Sequence, residues 1–305
     1  MNQDQPLQQC DATIVATYSR RMRLLLADGR QVESRIKGKK LRPVCGDHVI
    51  AQAIENEADW LIKSIKPRDN QLSRPNLRGK VEILAANVDL LLVVAAAAPD
   101  PDWFIVDRYL AAAESMGSKA AVIFNKTDLA AADSNFDDYA KIGYDTVSCS
   151  ASSNDNIEPI RRLLGQQTAI IVGQSGVGKS SIINALTGSN ALRTAQISEK
   201  SQEGKHTTVN SEMLNIPGGA RIIDSPGVRD YAPALSDKDQ VLRGFRELER
   251  AAQSCRFANC RHLREPGCAV KDGVESGEIS ARRYESYRRL YILTDKIDSQ
   301  TQTRF

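Results

Sequence analysis

Between residues 10 and 66, short runs rich in apolar residues are separated by more polar segments, a pattern typical of short β-strands. The pattern predicts five short strands at residues 12–18, 22–27, 31–36, 48–54 and 60–65. Asp28-Gly29, between the second and third, is a hairpin turn signal. Short strands packed so closely in sequence favour a small all-β barrel. An oligonucleotide-binding (OB) barrel is the commonest such fold, and an SH3-like barrel fits nearly as well.

A proline-containing basic segment, residues 67–80, is interpreted as a linker. Beyond it, strands alternate with helices, a pattern typical of an α/β domain with a mostly parallel sheet. We predict strands at 90–97, 120–124, 146–148, 168–172, 209–215 and 220–223, and helices at 103–116, 157–164 and 179–186. After residue 233 the strands stop and a charged, helix-rich tail follows. The predicted domains are therefore 1–80, barrel plus linker; 81–232, α/β; and 233–305, small and helical.

The net charge of +3 is unevenly distributed along the 305 residues. Residues 1–80 carry +6, residues 81–230 carry −6 and residues 231–305 carry +3. Two basic ends around an acidic middle suit a nucleic-acid partner, although ordinary solvated surface gives the same distribution.

The N-terminus is polar and has no basic-then-apolar signal sequence. The longest apolar run, 90–99, is too short to span a bilayer. We therefore expect a cytoplasmic protein without membrane contact, whose reduced cysteines are more often ligands than disulfides.

The strongest motif is a glycine-rich loop between a predicted strand and a predicted helix, which is the setting of a phosphate-binding loop. Its glycines let successive backbone N–H groups turn toward one anion, and the helix N-terminus adds partial positive charge. We expect Lys179 to reach the β- and γ-phosphates and the Ser180 hydroxyl to ligate Mg²⁺. The predicted phosphate-binding residues are Gly173, Gln174, Ser175, Gly176, Val177, Gly178, Lys179, Ser180 and Ser181.

A second motif, Asn125-Lys126-Thr127-Asp128, follows the predicted strand 120–124. A carboxylate at a strand end can accept hydrogen bonds from guanine N1–H and from its 2-amino group. Adenine offers neither there, so Asp128 would select GTP over ATP. Ser148-Cys149-Ser150-Ala151 closes another strand, and this weaker signal makes Ser150 and Ala151 candidates to support the base. The predicted base-binding residues are Asn125, Lys126, Asp128, Ser150 and Ala151.

Two loops are predicted to act on the γ-phosphate. Asp224-Ser225-Pro226-Gly227 supplies a carboxylate for a Mg²⁺-bound water and the Gly227 N–H for the phosphate. In the polar loop 204–208, Thr208 is favoured over Thr207 as a second Mg²⁺ ligand, with an ordinary flexible loop as the alternative.

The sequence lacks one of the catalytic residues that many GTPases have. Val228 stands where many GTPases have a glutamine that orients water, which predicts slow hydrolysis that depends on a partner. His206 is the best substitute in the chain, the alternative being a histidine at the surface or against a partner. The predicted catalytic residues are His206, Thr208, Lys179, Asp224 and Gly227.

The base-reading motif precedes the phosphate loop by about 45 residues, whereas most GTPases have the opposite order. This order indicates a circularly permuted GTPase domain, which a sheet tolerates when the altered connection runs over the surface. The loop after Asp224 then leads directly into the C-terminal domain, so its movement can reorient the flanking domains.

Three cysteines and a histidine, Cys255, Cys260, His262 and Cys268, lie within fourteen residues. Their spacing favours one tetrahedral, structural Zn²⁺ over unlinked thiols. Cys10, Cys45 and Cys149 follow no such pattern and are predicted to be packed side chains. Seven arginines lie between or just after the four ligands and are predicted to face RNA phosphate: Arg256, Arg261, Arg264, Arg282, Arg283, Arg288 and Arg289.

These motifs together resemble the ribosome-small-subunit-dependent GTPase A (RsgA) family over nearly the whole chain. Besides the nucleotide and cysteine motifs, the resemblance rests on residues 43–47, 68–75, 86–89 and 205–208. Cys45 and His48 depart mildly from the family pattern, and Lys205 replaces an arginine. The resemblance implies an OB barrel, a permuted GTPase domain and a zinc domain. It also implies binding to the 30S subunit and its 16S rRNA, GTP hydrolysis stimulated by that subunit during its maturation, and release afterwards. We expect a monomer.

Two other functions are compatible with parts of this pattern. A P-loop ATPase or kinase acting on a small molecule would need no Asp128, and a non-catalytic RNA-binding module would not need Lys179, Ser180 and Asp224.

Overall fold

The N-terminal segment forms a closed barrel of five strands. The computed structural model describes residues 8–19, 21–37, 41–75, 81–188, 209–225, 235 and 238–302. The barrel strands are β1 (Gln9–Tyr18), β2 (Met22–Leu26), β3 (Gln31–Ile36), β4 (His48–Ala53) and β5 (Trp60–Ile65). Their order is β1-β2-β3-β5-β4, and β4 pairs back onto β1. This closure and order are those of an OB barrel. The inward positions, such as Ile14, Leu24 and Val49, are fully buried.

The segment interpreted as a linker contains a strand. β6 (Gln71–Pro75) pairs antiparallel with β7 (Val81–Ala86) as a separate two-stranded sheet. Leu72 and Leu84 from this hairpin are buried in the core of the central domain. The linker interpretation is therefore wrong for residues 71–75. Pro75 is compatible with pairing because it lies at the end of an edge strand.

The central domain is built on a mostly parallel sheet, as predicted. Its strands are β8 (Leu90–Ala96), β9 (Lys119–Asn125), β10 (Asp145–Ser148), β11 (Thr168–Gly173), β12 (Val209–Asn215) and β13 (Arg221–Asp224). Their order is β10-β9-β8-β11-β13-β12, with only β12 antiparallel to its neighbour in the domain. All residues of β8 and β11 are buried, because apolar side chains pack on both faces of the sheet.

Four helices of this domain lie among the described residues: α1 (Trp103–Met116), α2 (Ser134–Lys141), α3 (Glu158–Leu164) and α4 (Lys179–Thr187). Three match the predicted helices, whereas α2 was not predicted. The Asp133 carboxylate caps α2 by accepting hydrogen bonds from the amides of Asn135 and Phe136. Phe136 and Tyr139 bury the inner side of the helix.

The barrel and the central sheet are continuous. β12 pairs antiparallel with β1 through Ala16↔Glu212, Thr17↔Ser211 and Tyr18↔Val209. One sheet of eleven described strands therefore runs from β10 into the barrel.

A partly buried ion pair also holds the barrel to the segment that leads into β6. The Asp47 carboxylate is fully buried and accepts hydrogen bonds from Arg68 Nε at 2.6 Å and Arg68 Nη2 at 2.8 Å. Beside it, Gly46 lies so close to Ala86 that an added Cβ would stand 2.0 Å from the Ala86 carbonyl oxygen. Asn87 Nδ2 donates to the Gly46 carbonyl oxygen at 2.9 Å. The residues 43–47, 68–75 and 86–89 of the family resemblance thus meet at one joint.

The C-terminal segment forms helices α5 (Lys238–Arg243), α6 (Arg246–Ala252), α7 (Ala269–Ser276) and α8 (Ala281–Gln302). They pack around an apolar core that includes Phe245, Leu248, Tyr287 and Leu290 together with Ala111 of α1. Among the described residues, no helix is both long and apolar enough to cross a bilayer.

A buried charge network joins this unit to the central domain. Arg283 on α8 is fully buried; its Nη1 donates to Asp107 on α1 at 2.7 Å. Its Nε and Nη2 donate to the two carboxylate oxygens of Glu247 on α6 at 2.7 and 2.9 Å. Arg282 donates to the same Asp107 at 2.8 Å. The prediction that Arg283 faces RNA is therefore wrong, because its charge is neutralised inside the protein.

We expect Arg283→Ala to open the C-terminal unit, since it leaves the Asp107 and Glu247 carboxylates buried without their cation. Breaking a buried pair costs about 3–5 kcal/mol. Hydrogen exchange of the α8 amides measures this loss directly. The matched control is Arg288→Ala on the same helix, whose partner Glu285 is exposed, with an expected cost below about 1 kcal/mol. Equal exchange in the two variants would contradict the docking role of Arg283.

Candidate nucleotide site and metal cluster

The phosphate loop connects β11 to α4 and depends on two glycines. Gly173 has φ of 135°, and a Cβ there would stand 2.2 Å from the Val94 carbonyl oxygen. Gly178 caps the N-terminus of α4 with φ of 91°, and its Cβ would stand 2.3 Å from Asn125 Nδ2. Side chains at either position would be strained and would displace β8 or Asn125. The loop can therefore lie flat against the neighbouring strand ends.

Two lysines bind the carbonyl oxygens of this loop. Lys179 is 6% exposed, and its Nζ donates to the carbonyl oxygens of Gly173 and Gln174 at 2.7 Å each. Lys126 Nζ donates to the carbonyl oxygens of Gly176 and Ala98, also at 2.7 Å. Carbonyl oxygens held by ammonium groups are not available to repel an anion, and the charge of Lys179 stays at the loop. The contribution of Ala98 has no signal in the sequence.

Asn125 joins the phosphate loop to the base-reading segments. Its Nδ2 donates to the Val177 carbonyl oxygen at 2.9 Å, and its Oδ1 accepts from the Ala151 backbone N–H at 3.0 Å. Asn125 is 1% exposed. One side chain thus holds together three segments that are far apart in sequence.

Asp128 is held by a group of serines. Ser150 Oγ donates to Asp128 Oδ1 at 2.5 Å, and Ser152 Oγ donates to the same oxygen at 3.3 Å. The hydrogen bond from Ser150 lowers the pKa of the Asp128 carboxyl below its usual value. Ser150 is fixed in turn by a backbone bridge to Asp155. The carboxylate is therefore exposed, ionised and oriented, which agrees with the predicted role of Asp128 in binding the base. Sequence reasoning missed Ser152, which belongs to no recognised motif.

Asp224 ends β13, the strand next to β11, so its loop and the phosphate loop leave the sheet at the same edge. Asp224 is 8% exposed. Ser225, the next residue, accepts a hydrogen bond from Ser211 on β12 at 2.9 Å. The predicted residues His206, Thr207, Thr208, Gly227 and Val228 lie outside the described residues.

A second carboxylate, Glu212 on β12, lies directly opposite Asp224. Burial raises the pKa of the Glu212 carboxyl; the Arg23 guanidinium of the barrel counteracts this, and the charge of Asp224 adds to it. Glu212 belongs to no motif, and only the strand register reveals its position.

The four predicted metal ligands meet in the loop between α6 and α7. The donor atoms of Cys255, Cys260, His262 and Cys268 all lie within 4.8 Å of one another. His262 Nδ1 is 3.5 Å from Cys255 Sγ and 3.4 Å from Cys268 Sγ, and these two sulfurs are 4.0 Å apart. A tetrahedral Zn²⁺ with ordinary bond lengths needs sulfur–sulfur edges of about 3.8 Å and sulfur–nitrogen edges of about 3.6 Å. The donor set and these distances are therefore consistent with a zinc ion.

The helix α8 and an acidic side chain hold the cluster loop in place. Tyr284 and Tyr287 donate their hydroxyl protons to the carbonyl oxygens of His262 and Arg261, at 2.6 and 2.9 Å. Burial raises the pKa of Glu265, but the backbone N–H groups of Arg264, Arg261 and Leu263 outweigh this and lower it to about 2. Backbone N–H groups of the loop thus stabilise the negative charge of Glu265. The side chains of Arg256, Arg261 and Arg264 remain exposed.

A family model for the RsgA GTPase matches residues 65–233. The small ribosomal subunit biogenesis GTPase RsgA of Actinobacillus succinogenes is 36% identical over 299 residues, which cover 95% of this chain and 86% of that protein. The protein of the same name from Haemophilus influenzae strain 86-028NP is 39% identical over 266 residues, covering 84% of this chain and 77% of that protein.

Two solved structures have a similar fold. YjeQ from Thermotoga maritima is 25% identical with a TM-score of 0.71, covering 94% of this chain and 99% of that one. YloQ, named a circularly permuted GTPase, has a TM-score of 0.67 at 23% identity over 97% and 98% of the two chains, which supports the fold alone. The family match spans more than half of the residues, and the relatives are similar over most of the chain. The chain therefore belongs to the RsgA GTPase family, with a circularly permuted central domain between its barrel and its helical C-terminal unit.

Proposed function

We propose that the protein hydrolyses GTP in late maturation of the small (30S) ribosomal subunit, and that it binds the subunit through 16S rRNA and leaves after hydrolysis. The observation that supports this proposal is the bridge through Asn125, which joins the loop proposed to bind phosphate to the segments proposed to read guanine. The names of the relatives, small ribosomal subunit biogenesis GTPases, support the ribosomal part. No described feature favours an ATPase, a kinase or a non-catalytic RNA-binding module.

The phosphates are assigned to the loop from Gly173 to Ser181. Its backbone N–H groups and the N-terminus of α4 bind the phosphate oxygens, and the Lys179 ammonium moves from the loop carbonyls toward the β- and γ-phosphates. Mg²⁺, when bound, neutralises charge between these phosphates. Ser180, Thr208 and, through water, Asp224 are the residues proposed to hold it, while Gly227 donates its N–H to the γ-phosphate.

The base is assigned to Asp128, with Asn125, Lys126, Ser150 and Ala151 around it. The ionised carboxylate accepts the N1–H and 2-amino protons of guanine, and the serines that donate to it keep it oriented. A base without these two donors would leave the carboxylate unpaired, which disfavours adenine.

Hydrolysis by the isolated protein is expected to be slow, because Val228 cannot orient the attacking water. We propose that the bound 30S subunit orders the site and that His206 hydrogen-bonds the water. The sequence order supports a link to release, since the chain runs directly from Asp224 into the C-terminal unit.

Zn²⁺ is the proposed occupant of the cysteine cluster, with all four positions filled by Cys255, Cys260, His262 and Cys268, as in structural sites. A structural ion fixes the loop that carries Arg256, Arg261 and Arg264. These three exposed arginines, with the exposed ring of Phe257 beside Arg256, are the proposed contacts to rRNA phosphate and bases.

Lys179→Ala should lower GTP turnover in the presence of purified 30S subunits by roughly a hundredfold or more, the usual cost of removing a group that stabilises developing charge. Turnover is measured by phosphate release with and without subunits. Lys141→Ala, at an exposed lysine paired with Asp138, is the matched control and should keep the wild-type rate. If subunits fail to stimulate even the wild-type protein, the ribosomal proposal is refuted.

Asp128→Asn should weaken GDP binding about a hundredfold and improve binding of xanthosine diphosphate, which carries a carbonyl where guanine has its 2-amino group. The asparagine amide donates to that carbonyl, whereas the carboxylate repels it. Competition against a fluorescent nucleotide measures both affinities. Asp137→Asn, an exposed residue on α2, is the control. Unchanged preference for guanine in Asp128→Asn would refute the assignment of the base.

Purified protein should contain one zinc per chain, and Cys260→Ser should lose most of it. Elemental analysis measures zinc, and limited proteolysis measures folding of the C-terminal unit, which should become sensitive. Binding of GDP should persist, because the nucleotide pocket lies in the central domain. Cys10→Ser in the barrel is the control and should retain the metal. A zinc content that does not change in Cys260→Ser would contradict the assigned ligand set.

A further inference from the structure

Five residues follow one another across five neighbouring antiparallel strands, from the central domain into the barrel. The register places Asp224 opposite Glu212, Glu212 opposite Ala16, Ala16 opposite Arg23, and Arg23 opposite Glu33. Directly opposed residues of antiparallel strands carry their side chains on the same face. We call these residues the cross-strand row; it starts at the aspartate proposed for the Mg²⁺ site and ends on the barrel.

Along the row, two carboxylates are followed by a small apolar side chain and then by an arginine. Two carboxylates, Asp224 and Glu212, lie side by side, an arrangement that is unfavourable unless a cation is near. On the barrel side of Glu212 comes Ala16, which is 1% exposed and has only a methyl group. Arg23 follows, so no large side chain of the row separates its guanidinium from Glu212.

Arg23 is held but not saturated by its other contacts. Its Nε donates to Glu33 Oε1 at 3.0 Å, and its guanidinium lies 5.6 Å from the centre of the Tyr18 ring. A guanidinium has five N–H donors in a planar fork, so one carboxylate contact leaves others available to a second acceptor. Glu212 therefore lies between two positive positions: Arg23 on one side and the cation site beside Asp224 on the other.

We propose that Glu212 is a positioning residue for the Mg²⁺ site, and that its carboxylate is shared between that site and Arg23 of the barrel. The inference rests on the proposed function of the same pocket. Glu212 supplies negative charge and a hydrogen-bond acceptor beside Asp224 when the cation is present. When the cation is absent, Glu212 is held by Arg23 instead, so that the two cations compete for one carboxylate.

This competition gives the barrel a direct electrostatic connection to the nucleotide site. Among the described residues, the barrel pairs with β12 at three positions, from Ala16 to Tyr18. β12 begins at Val209, immediately after Thr208, and Ser211 on it donates to Ser225, the residue after Asp224. A change at the Mg²⁺ site thus reaches β12, the strand that pairs with the barrel, without passing through residues 67–80.

The test uses the full-length protein and a fluorescent GDP analogue, and measures the Mg²⁺ concentration that half-maximally slows release of the analogue. Glu212→Gln should raise this concentration by about threefold or more, because negative charge beside the cation is lost. Arg23→Gln should lower it by a similar factor, because Glu212 loses its competitor. The double variant should behave like Glu212→Gln alone, since Arg23 acts through Glu212.

Arg35→Gln is the matched control, an arginine on the same barrel that pairs with the exposed Glu57 outside the row, and it should leave the Mg²⁺ dependence unchanged. Affinity for the analogue in excess chelator should be equal in all variants, which separates an effect on Mg²⁺ from an effect on folding.

The inference is overturned if Glu212→Gln and Arg23→Gln change the half-maximal Mg²⁺ concentration in the same direction. It is also overturned if neither variant changes this concentration more than Arg35→Gln does. If Glu212→Gln does not fold, Arg23→Gln alone tests the inference, and its half-maximal Mg²⁺ concentration should be lower than that of the wild-type protein. If the wild-type protein itself fails to bind the analogue, the proposed function fails, which is a distinguishable result.

Discussion

The nucleotide site depends on one buried carboxamide. Asn125 donates to the Val177 carbonyl oxygen and accepts from the Ala151 N–H, with almost no exposure to solvent. Its position at the end of β9 is possible because β8 and β11 bring the phosphate loop beside that strand end in a parallel sheet. Gly178 has no Cβ, and a Cβ there would displace the same amide. The permuted chain order does not matter to this contact, because the strands keep their neighbours in space.

The barrel and the C-terminal helices are attached to the central domain at different places. On the barrel side, β1 continues the central sheet at β12, next to the strand that ends in Asp224. On the other side, the buried network of Asp107, Arg283 and Glu247 fixes the C-terminal helices to α1. Besides the covalent chain, strand pairing attaches the barrel to the central sheet, and buried charge attaches the C-terminal unit to α1.

Much of the fold could be predicted from local patterns, and the misses have physical reasons. The barrel strands and the buried strands β8 and β11 follow from short runs rich in apolar residues. The hairpin β6–β7 was missed because its pairing and the burial of Leu72 come from distant residues. Helix α2 was missed because only Phe136 and Tyr139 mark its buried side. Arg283 was misjudged because a sequence does not distinguish an arginine that faces solvent from one that is enclosed by two carboxylates.

In the site, motifs identify residues whose chemistry is shared by many nucleotide-binding proteins, but not the groups that support them. The Ala98 carbonyl, Ser152 and Glu212 have no motif, and only the fold brings them to Lys126, Asp128 and Asp224.

The central claim is that the base-reading and phosphate-binding segments form one pocket. A crystal structure of the protein with GDP and Mg²⁺ tests it most directly. We predict guanine N1 and N2 within hydrogen-bond distance of the Asp128 carboxylate, with the β-phosphate at Lys179; a base bound away from Asp128, or phosphates away from the loop, would contradict it.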